Sequence, residues 1–352
     1  MPTFLLGLDT EPMEARSVDA LPTGEGWQFE PKWDGFRCLV FKAGQDVDLR
    51  AKSGKSLSRY FPEMVQAVRS AKADNFVLDG ELTVPIGDTL SFGALQDRVH
   101  PAESRIRKLA AETPGLLVLF DCLATAATGS LLGAPLTERR AALERLMPDF
   151  GKVHRTSMSP LTVDLAEAQR WLNAPHGALD GVVGKRTGGS YAAGERAMVK
   201  VKRLRSADCV VGGFRYAKGT HEVGSLLLGL FNDQGKLDHV GFTSAISNAD
   251  RRALTVKLEA LAGAPGFTGD SPGGPSRWSN ERSAEWQPLR TELVVEVGYD
   301  QVTDGRFRHG TKLLRWRPDK AARQCTREQL QQELRPGQLV NDILNHQRSR
   351  LG

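Results

Sequence analysis

The amino-acid sequence predicts an α+β protein in two parts. The first part intersperses strands and helices, and the second is β-rich, suited to a small, partly open barrel of the OB type. Three observations carry this reading. Strand-like apolar runs at 38–42, 76–83, 116–121 and 182–185 are separated by helical patterns. The composition shifts after Lys202-Arg203-Leu204-Arg205-Ser206. Beyond that point come about five short β-rich segments with one helix among them, as an OB barrel requires. The boundary is placed near 204, giving domains 1–203 and 204–352.

The elements follow in order. Residues 61–70 place Met64, Val65 and Val68 on one helical face. Residues 137–147 open with a threonine suited to capping and carry Leu143 and Leu146. Asp164-x-x-Glu167 ahead of residues 168–172 is close to a capping box. In the second part, strands are expected at 210–216, 225–231, 240–244, 293–299 and 313–317, with a helix over 250–261. Gly212-Gly213 reads as a barrel bend or bulge. Residues 263–288, rich in Gly, Pro and Ser, read as a long surface excursion.

Composition excludes several classes. A chain of 352 residues with 40% apolar and 25% charged residues is an ordinary soluble globular protein with room for two cores. No run approaches the roughly 20 apolar residues of a membrane span, and the first residues lack the pattern of a secretory signal. The four cysteines, at 38, 122, 209 and 325, form no close pair, so neither a local zinc site nor a disulfide framework is expected. A reducing cytoplasm is the natural compartment. The net charge of +5 is concentrated: 185–205 holds seven basic residues and one acid, and 301–320 six against Asp304 and Asp319. Such clusters suit a polyanion, although solvated charged faces are the commoner outcome.

Six short stretches carry chemistry. In Phe29-Glu30-Pro31-Lys32-Trp33-Asp34-Gly35-Phe36-Arg37, a lysine amine stands among an acid, a glycine and an arginine, the surroundings of a covalent nucleophile. In Met198-Val199-Lys200-Val201-Lys202, strand alternation puts both lysines on one face, where they repel unless an anion lies between them. Asp79-Gly80-Glu81 sets two carboxylates in an apolar strand, able to accept a hydroxyl, hold a metal-bound water or form a salt bridge. Leu116 to Asp121 reads as a buried strand ending in a polar turn, with Phe120 either in the core or stacked on a flat ring. Asp180-Gly181-Val182-Val183-Gly184-Lys185 adds a carboxylate and a lysine, and Arg315-Trp316-Arg317-Pro318-Asp319-Lys320 packs three cations into the second domain.

Taken together and in this order, the stretches resemble the six motifs of the covalent nucleotidyltransferases: DNA ligases, RNA ligases and capping enzymes. The match to stand-alone bacterial ATP-dependent DNA ligases of the C type rests on residues 30–37 and on Arg306-Phe307-Arg308-His309. The resemblance implies a nucleotidyltransferase domain of antiparallel sheets with flanking helices, followed by an OB-fold domain. It implies that Lys32 takes AMP from ATP, passes it to the 5′-phosphate of a nick, and that a 3′-hydroxyl then closes the strand. Lys200, Lys202 and Asp34 would join Lys32 in catalysis. Phe120 and Val183 would sandwich the adenine, with Glu30 near its amino edge, Arg37 and Glu81 at the ribose and Lys185 beside the nucleotide. Arg317 and Lys320 would orient the pyrophosphate. Glu81 and Asp180 would hold Mg2+ or Mn2+, and Lys52 the nick phosphate.

Two departures stand out. The family's motif IV glutamate is Asp180 here, one methylene shorter. Its Ser-Arg-x-Gly element reads Ala51-Lys52-Ser53-Gly54, so a point charge replaces a bidentate fork. Nicked duplex DNA is the expected partner of a monomer, with Ku or repair polymerases as recruiters. RNA ligation, GTP-dependent capping and an inert DNA-binding scaffold share parts of the pattern. His154 and His309 lack companions at metal-ligand spacing and read as surface or packing residues. The six tryptophans read as packing residues, with Trp33 also able to shape a pocket rim.

Overall fold

The structure is a computed structural model that describes residues 3–87, 89–150, 155–173, 179–203, 205–244, 246–263, 265–273, 285–303 and 305–333. It divides into two compact units between Arg203 and Leu204. The expected second domain runs to 352, and residues 334–352 lie outside the described residues, as do His154 and residues 274–284 of the expected excursion.

The first unit begins with strands β1 (Ala15–Ser17), β2 (Trp27–Lys32), β3 (Phe36–Ala43) and β4 (Asp46–Ala51), then helix α1 (Pro62–Arg69) and β5 (Asn75–Thr83). A short ribbon, β6 (Pro85–Ile86) with β7 (Thr89–Leu90), leads to α2 (Phe92–Asp97) and α3 (Glu103–Glu112). The unit continues through β8 (Leu116–Thr125), β9 (Gly129–Ser130), α4 (Leu136–Leu146), β10 (Thr156–Met158), α5 (Leu165–Asn173), β11 (Gly181–Arg186) and β12 (Met198–Lys202). One sheet runs β1-β12-β11-β2 and a second runs β10-β8-β5-β3-β4.

Both faces of the second sheet are covered, which is why its strands read as continuous apolar runs. On β3, Cys38 and Val40 pack with α1 and α4 residues such as Met64, Val68 and Leu143. Leu39 and Phe41 point the other way, into a cluster with Met13, Tyr191 and Met198. Period-2 alternation therefore sends Arg37, Asp79 and Glu81 toward that second face, with Arg37 opposite Glu81 in register. Polar residues thus interrupt the apolar pattern on that side of the sheet.

Local expectations are corrected at several points. The strand around Phe120 does not end in a polar turn. It runs on to Thr125, and Asp121 is buried and paired with Arg139 (2.8 and 3.1 Å), whose other donors reach the carbonyls of Ala134 and Gly189. Thr137 does not cap α4, because Pro135 occupies that position and no side chain caps it. Asp164 does cap α5 by accepting from Ala166 (2.9 Å), but Glu167 accepts from the Thr162 hydroxyl (2.6 Å) and does not complete the box.

The second unit holds β13 (Arg205–Tyr216), β14 (Val223–Phe231), β15 (Leu237–Thr243), α6 (Asn248–Glu259), β16 (Gln287–Pro288), β17 (Val294–Tyr299), β18 (Val302–Thr303), β19 (Arg306–Phe307), β20 (Lys312–Trp316) and α7 (Glu328–Glu333). Five antiparallel strands run β15-β14-β13-β17-β20, and a bridge between Thr243 and Thr311 brings the outer two together, so the sheet curls into a barrel. Gly212-Gly213 lies at a bulge, where a Cβ would meet Phe267 at 2.7 Å and Trp286 at 2.6 Å. Those two rings also correct the reading of 263–288: Phe267 is buried in the barrel core and Trp286 packs against it. His309 is exposed and faces Asp300 (3.1 Å).

Removing Arg139 leaves a buried carboxylate without its partner, which is far costlier than losing a surface pair. Arg139→Met is expected to destabilise the first unit by about 3–5 kcal/mol in urea unfolding. A loss below about 1 kcal/mol, the range of an exposed pair, would contradict the pairing.

Candidate nucleotide-binding site

Sheet register assembles the site. On β2, Glu30 and Lys32 share a face; on β11, Val183 and Lys185; on β12, Lys200 and Lys202. The antiparallel pairing sets Glu30 and Lys200 on either side of Val183, and Lys32 and Lys202 on either side of Gly181. A side chain at 181 has no room, since a Cβ would lie 2.0 Å from the Val201 carbonyl and φ is +144°. Gly35 is equally constrained: a Cβ there would meet the Leu82 carbonyl at 2.4 Å and Glu81 Cγ at 2.9 Å. The loop after Lys32 thus lies directly on the strand that carries Glu81.

One pocket gathers Glu30, Lys32, Arg37, Lys52, Glu81, Phe120, Val183, Lys185 and Lys200. Asp34 and Lys202 are not among its lining residues. Asp180 joins it through an ion pair with Lys32, and its backbone N–H donates to the Lys32 carbonyl (3.0 Å). Arg317 and Lys320 belong to the second unit. There Asp208 accepts from Arg317 (2.8 and 3.0 Å) and from Lys320 (2.6 Å), and Asp319 accepts from Arg317 (2.8 Å).

The pocket is crowded with charge, and most charges are matched. Lys185 donates to Glu30 (2.8 Å) within the protein interior, and the Gln28 amide donates to the other Glu30 oxygen (2.8 Å). Arg37 forms a two-pronged pair with Asp79 (2.6 Å each). Both cations stand over the Phe120 ring, Lys185 Nζ at 4.5 Å and Arg37 Cζ at 4.6 Å from its centroid. Two cations can approach one ring because each has its own carboxylate. Lys200 is pushed below the usual lysine range by burial and by the charges of Lys32 and Lys202.

Lys52, read from the sequence as a point charge in place of a bidentate fork, has a carboxylate beside it. Its ammonium sits 2.8 Å from Glu14, which also has Arg196 3.8 Å away. Lys52 holds the Glu14 carboxyl below its ordinary range, with Arg196 and Lys200 acting in the same direction. Trp33 serves both readings offered for it: it is buried against Leu116, Val118 and Leu179, donates to Ser159 (3.0 Å) and lines the pocket. Sequence reasoning misses Met13, Glu14, Tyr191 and the role of Asp79. The first two belong to a segment with no motif, though Asp79 could be found from its place on Glu81's face.

Two carboxylates suit a hard divalent cation. Asp180 is buried and its second oxygen, Oδ1, has no hydrogen-bond partner among the described residues. Glu81 is raised to about 7, first by burial and then by Asp34 and Asp79, with Arg37 and Lys32 opposing. A third His, Cys, Asp or Glu that would complete a protein-only metal cage is not found among the described residues. Oxygen donors of this number fit an ion that keeps water and shares phosphate oxygens.

The family model described as "ATP dependent DNA ligase domain" matches residues 12–202, and the one described as "ATP dependent DNA ligase C terminal region" matches 219–320. The chain is 43% identical over 335 residues to DNA ligase C2 of Mycolicibacterium smegmatis, covering 91% of this chain and 93% of that one. It is 41% identical over 339 residues to DNA ligase C of Mycobacterium tuberculosis, covering 92% and 94%. A solved Lig E DNA ligase structure aligns with a TM-score of 0.52 at 17% identity, covering 87% of this chain and 99% of that one, a likeness of fold.

Because Glu81 is harder to ionise in the fold than its usual value of 4.5, its charge costs stability. That cost is absent below about pH 4.5, grows as pH rises to about 7 and is constant above. In metal-free buffer, Glu81→Gln is expected to raise the unfolding midpoint at pH 8 by about 7–13 °C and to change it far less at pH 5. An equal gain at both pH values would contradict burial as the cause.

Proposed function

The chain belongs to the ATP-dependent DNA ligase family, and from that premise we propose how its residues divide the labour of sealing a 5′-phosphate/3′-hydroxyl nick. Lys32 is the nucleophile. Its amine attacks the α-phosphate of ATP, a phosphorus–nitrogen bond forms, the bond to pyrophosphate breaks, and the ammonium proton is lost. The observation that supports this best is the convergence of Lys32, Asp180 and Lys200 at one end of a pocket whose walls carry Phe120, Val183 and Arg37.

Each side chain has a task that follows from its surroundings. Asp180 pairs with Lys32 and aims it until substrate arrives. Lys200 and Lys202 lie on the same face, so the amine stands among cations when Asp180 gives up its hold. The same two lysines then counter the charge gathering on the phosphate. Phe120 and Val183 hold the adenine, Arg37 and Glu81 the ribose. Glu30 and Lys185, already paired, present a fixed dipole near the base, and Asp34 supports the loop that carries Lys32. Arg317 and Lys320 act on the leaving pyrophosphate in the first step. Lys52 takes the nick phosphate in the second. Asp180 and Glu81 would hold Mg2+ or Mn2+, which would screen phosphate charge when bound.

Nicked duplex DNA is the substrate class that the family membership supports. No helix among the described residues is long and apolar enough to cross a membrane. A cytoplasmic, nucleoid-associated site of action and recruitment by an end-binding protein such as Ku or by repair polymerases complete the reading.

Two assays test it. Sealing is expected on a nicked DNA duplex, at a rate at least about tenfold above that on an all-RNA duplex, and equal rates would contradict a DNA ligase. Arg317→Ala is expected to slow lysine-adenylate formation by about 10- to 100-fold while sealing of a pre-adenylated nick stays within about twofold. Equal losses in both steps would contradict a role confined to pyrophosphate.

A further inference from the structure

Arg37 and Met13 line the pocket, and a closed ring of hydrogen bonds ties them to two residues behind it. The Tyr191 hydroxyl donates to Asp79 Oδ2 (2.6 Å) and accepts from the Met13 backbone N–H (3.0 Å). Arg37 donates to both Asp79 oxygens (2.6 Å each), and its Nη2 also donates to the Met13 carbonyl (3.2 Å). The ring therefore runs Met13 N–H, Tyr191, Asp79, Arg37 and back to Met13. It joins four segments: the stretch before β1, β3, β5 and the loop between β11 and β12.

Neither Tyr191 nor Asp79 lines the pocket, so anything they do for a nucleotide goes through Arg37 and Met13. Asp79 is fully buried and spends both oxygens on this ring. A guanidinium with a long flexible stem would otherwise sample many rotamers, and holding it removes that entropy before the ligand arrives. The hydroxyl is separable from the ring's packing. The Tyr191 ring packs among Met13, Leu39 and Phe41, contacts that a phenylalanine would keep. The phenol stays protonated, since burial and Asp79 push its ionisation well above the ordinary range.

We propose that Tyr191 is a positioning residue for nucleotide binding, which through Asp79 and Met13 fixes Arg37 where it meets the ribose of ATP. The inference rests on the reading of Arg37 as a ribose contact. It adds that the segment ahead of β1 is a wall of the nucleotide pocket, held at Met13 by the Tyr191 hydroxyl together with the Arg37 guanidinium.

The test measures lysine-adenylate formation against ATP concentration for Tyr191→Phe, Arg37→Ala and the double variant, with sealing of a pre-adenylated nick beside it. Tyr191→Phe is expected to raise KM for ATP about 5- to 10-fold, with the saturating rate and pre-adenylated sealing within about twofold. In the Arg37→Ala background the same change is expected to add nothing, because the group it positions is gone. A KM raised in Arg37→Ala but unaltered in Tyr191→Phe overturns the inference and leaves the reading of Arg37 intact. Additive effects, or equal losses in both steps, overturn it as well, since those mark a general structural role. An unaltered KM in Arg37→Ala overturns the reading of Arg37 and the inference with it.

Discussion

Like charges crowded on one face of one sheet are the constraint to which the rest of the first unit answers. Lys32 projects from β2 and Lys200 and Lys202 from β12, two strand spacings of about 5 Å each apart, with only Gly181 and Val183 of β11 between them. Left alone, these ammonium groups would repel, and the sheet would lose stability for no return. Asp180 relieves part of that repulsion by pairing with Lys32. The arrangement stores a bias: the charges that make the free protein uncomfortable are those that a triphosphate would satisfy.

The same logic organises the wall around Phe120. Two cations stand over one ring, and each is neutralised by a carboxylate on a different strand, Lys185 by Glu30 and Arg37 by Asp79. Rigid pairs of this kind are pre-organised and pay little on binding. Glu81 is the exception. It shares a face with Asp79 but has no such fork, and burial leaves it poised near neutral pH. A carboxylate retained at a cost to the fold is a mark of use, since a leucine or glutamine would serve packing better.

Much of this is legible in the sequence because it depends on period-2 alternation. Lys200 with Lys202, Val183 with Lys185 and Glu30 with Lys32 are pairs two apart on strands, and their common face follows without any knowledge of partners. The strand pattern of the barrel, and the bulge at Gly212-Gly213, are legible for the same local reasons. What escapes is pairing across long separations. The bond from Met13 to Tyr191 spans 178 positions, and no periodicity announces it. Asp121 looks like the start of a turn because its partner, Arg139, lies on a helix further along. Phe267 looks exposed because its neighbours are Gly, Pro and Ser, yet the glycines of β13 leave a space that its ring fills.

The account stands on the claim that the Lys32 amine, among several lysines on that face, is the one that becomes covalently bonded to AMP. Peptide mapping by mass spectrometry after incubation with ATP and a divalent cation tests this directly. The account predicts a single acid-labile adenylyl group on Lys32 that is absent from Lys32→Ala. Its absence from the treated wild-type protein, or its location on Lys200, Lys202 or Lys185, would contradict the account.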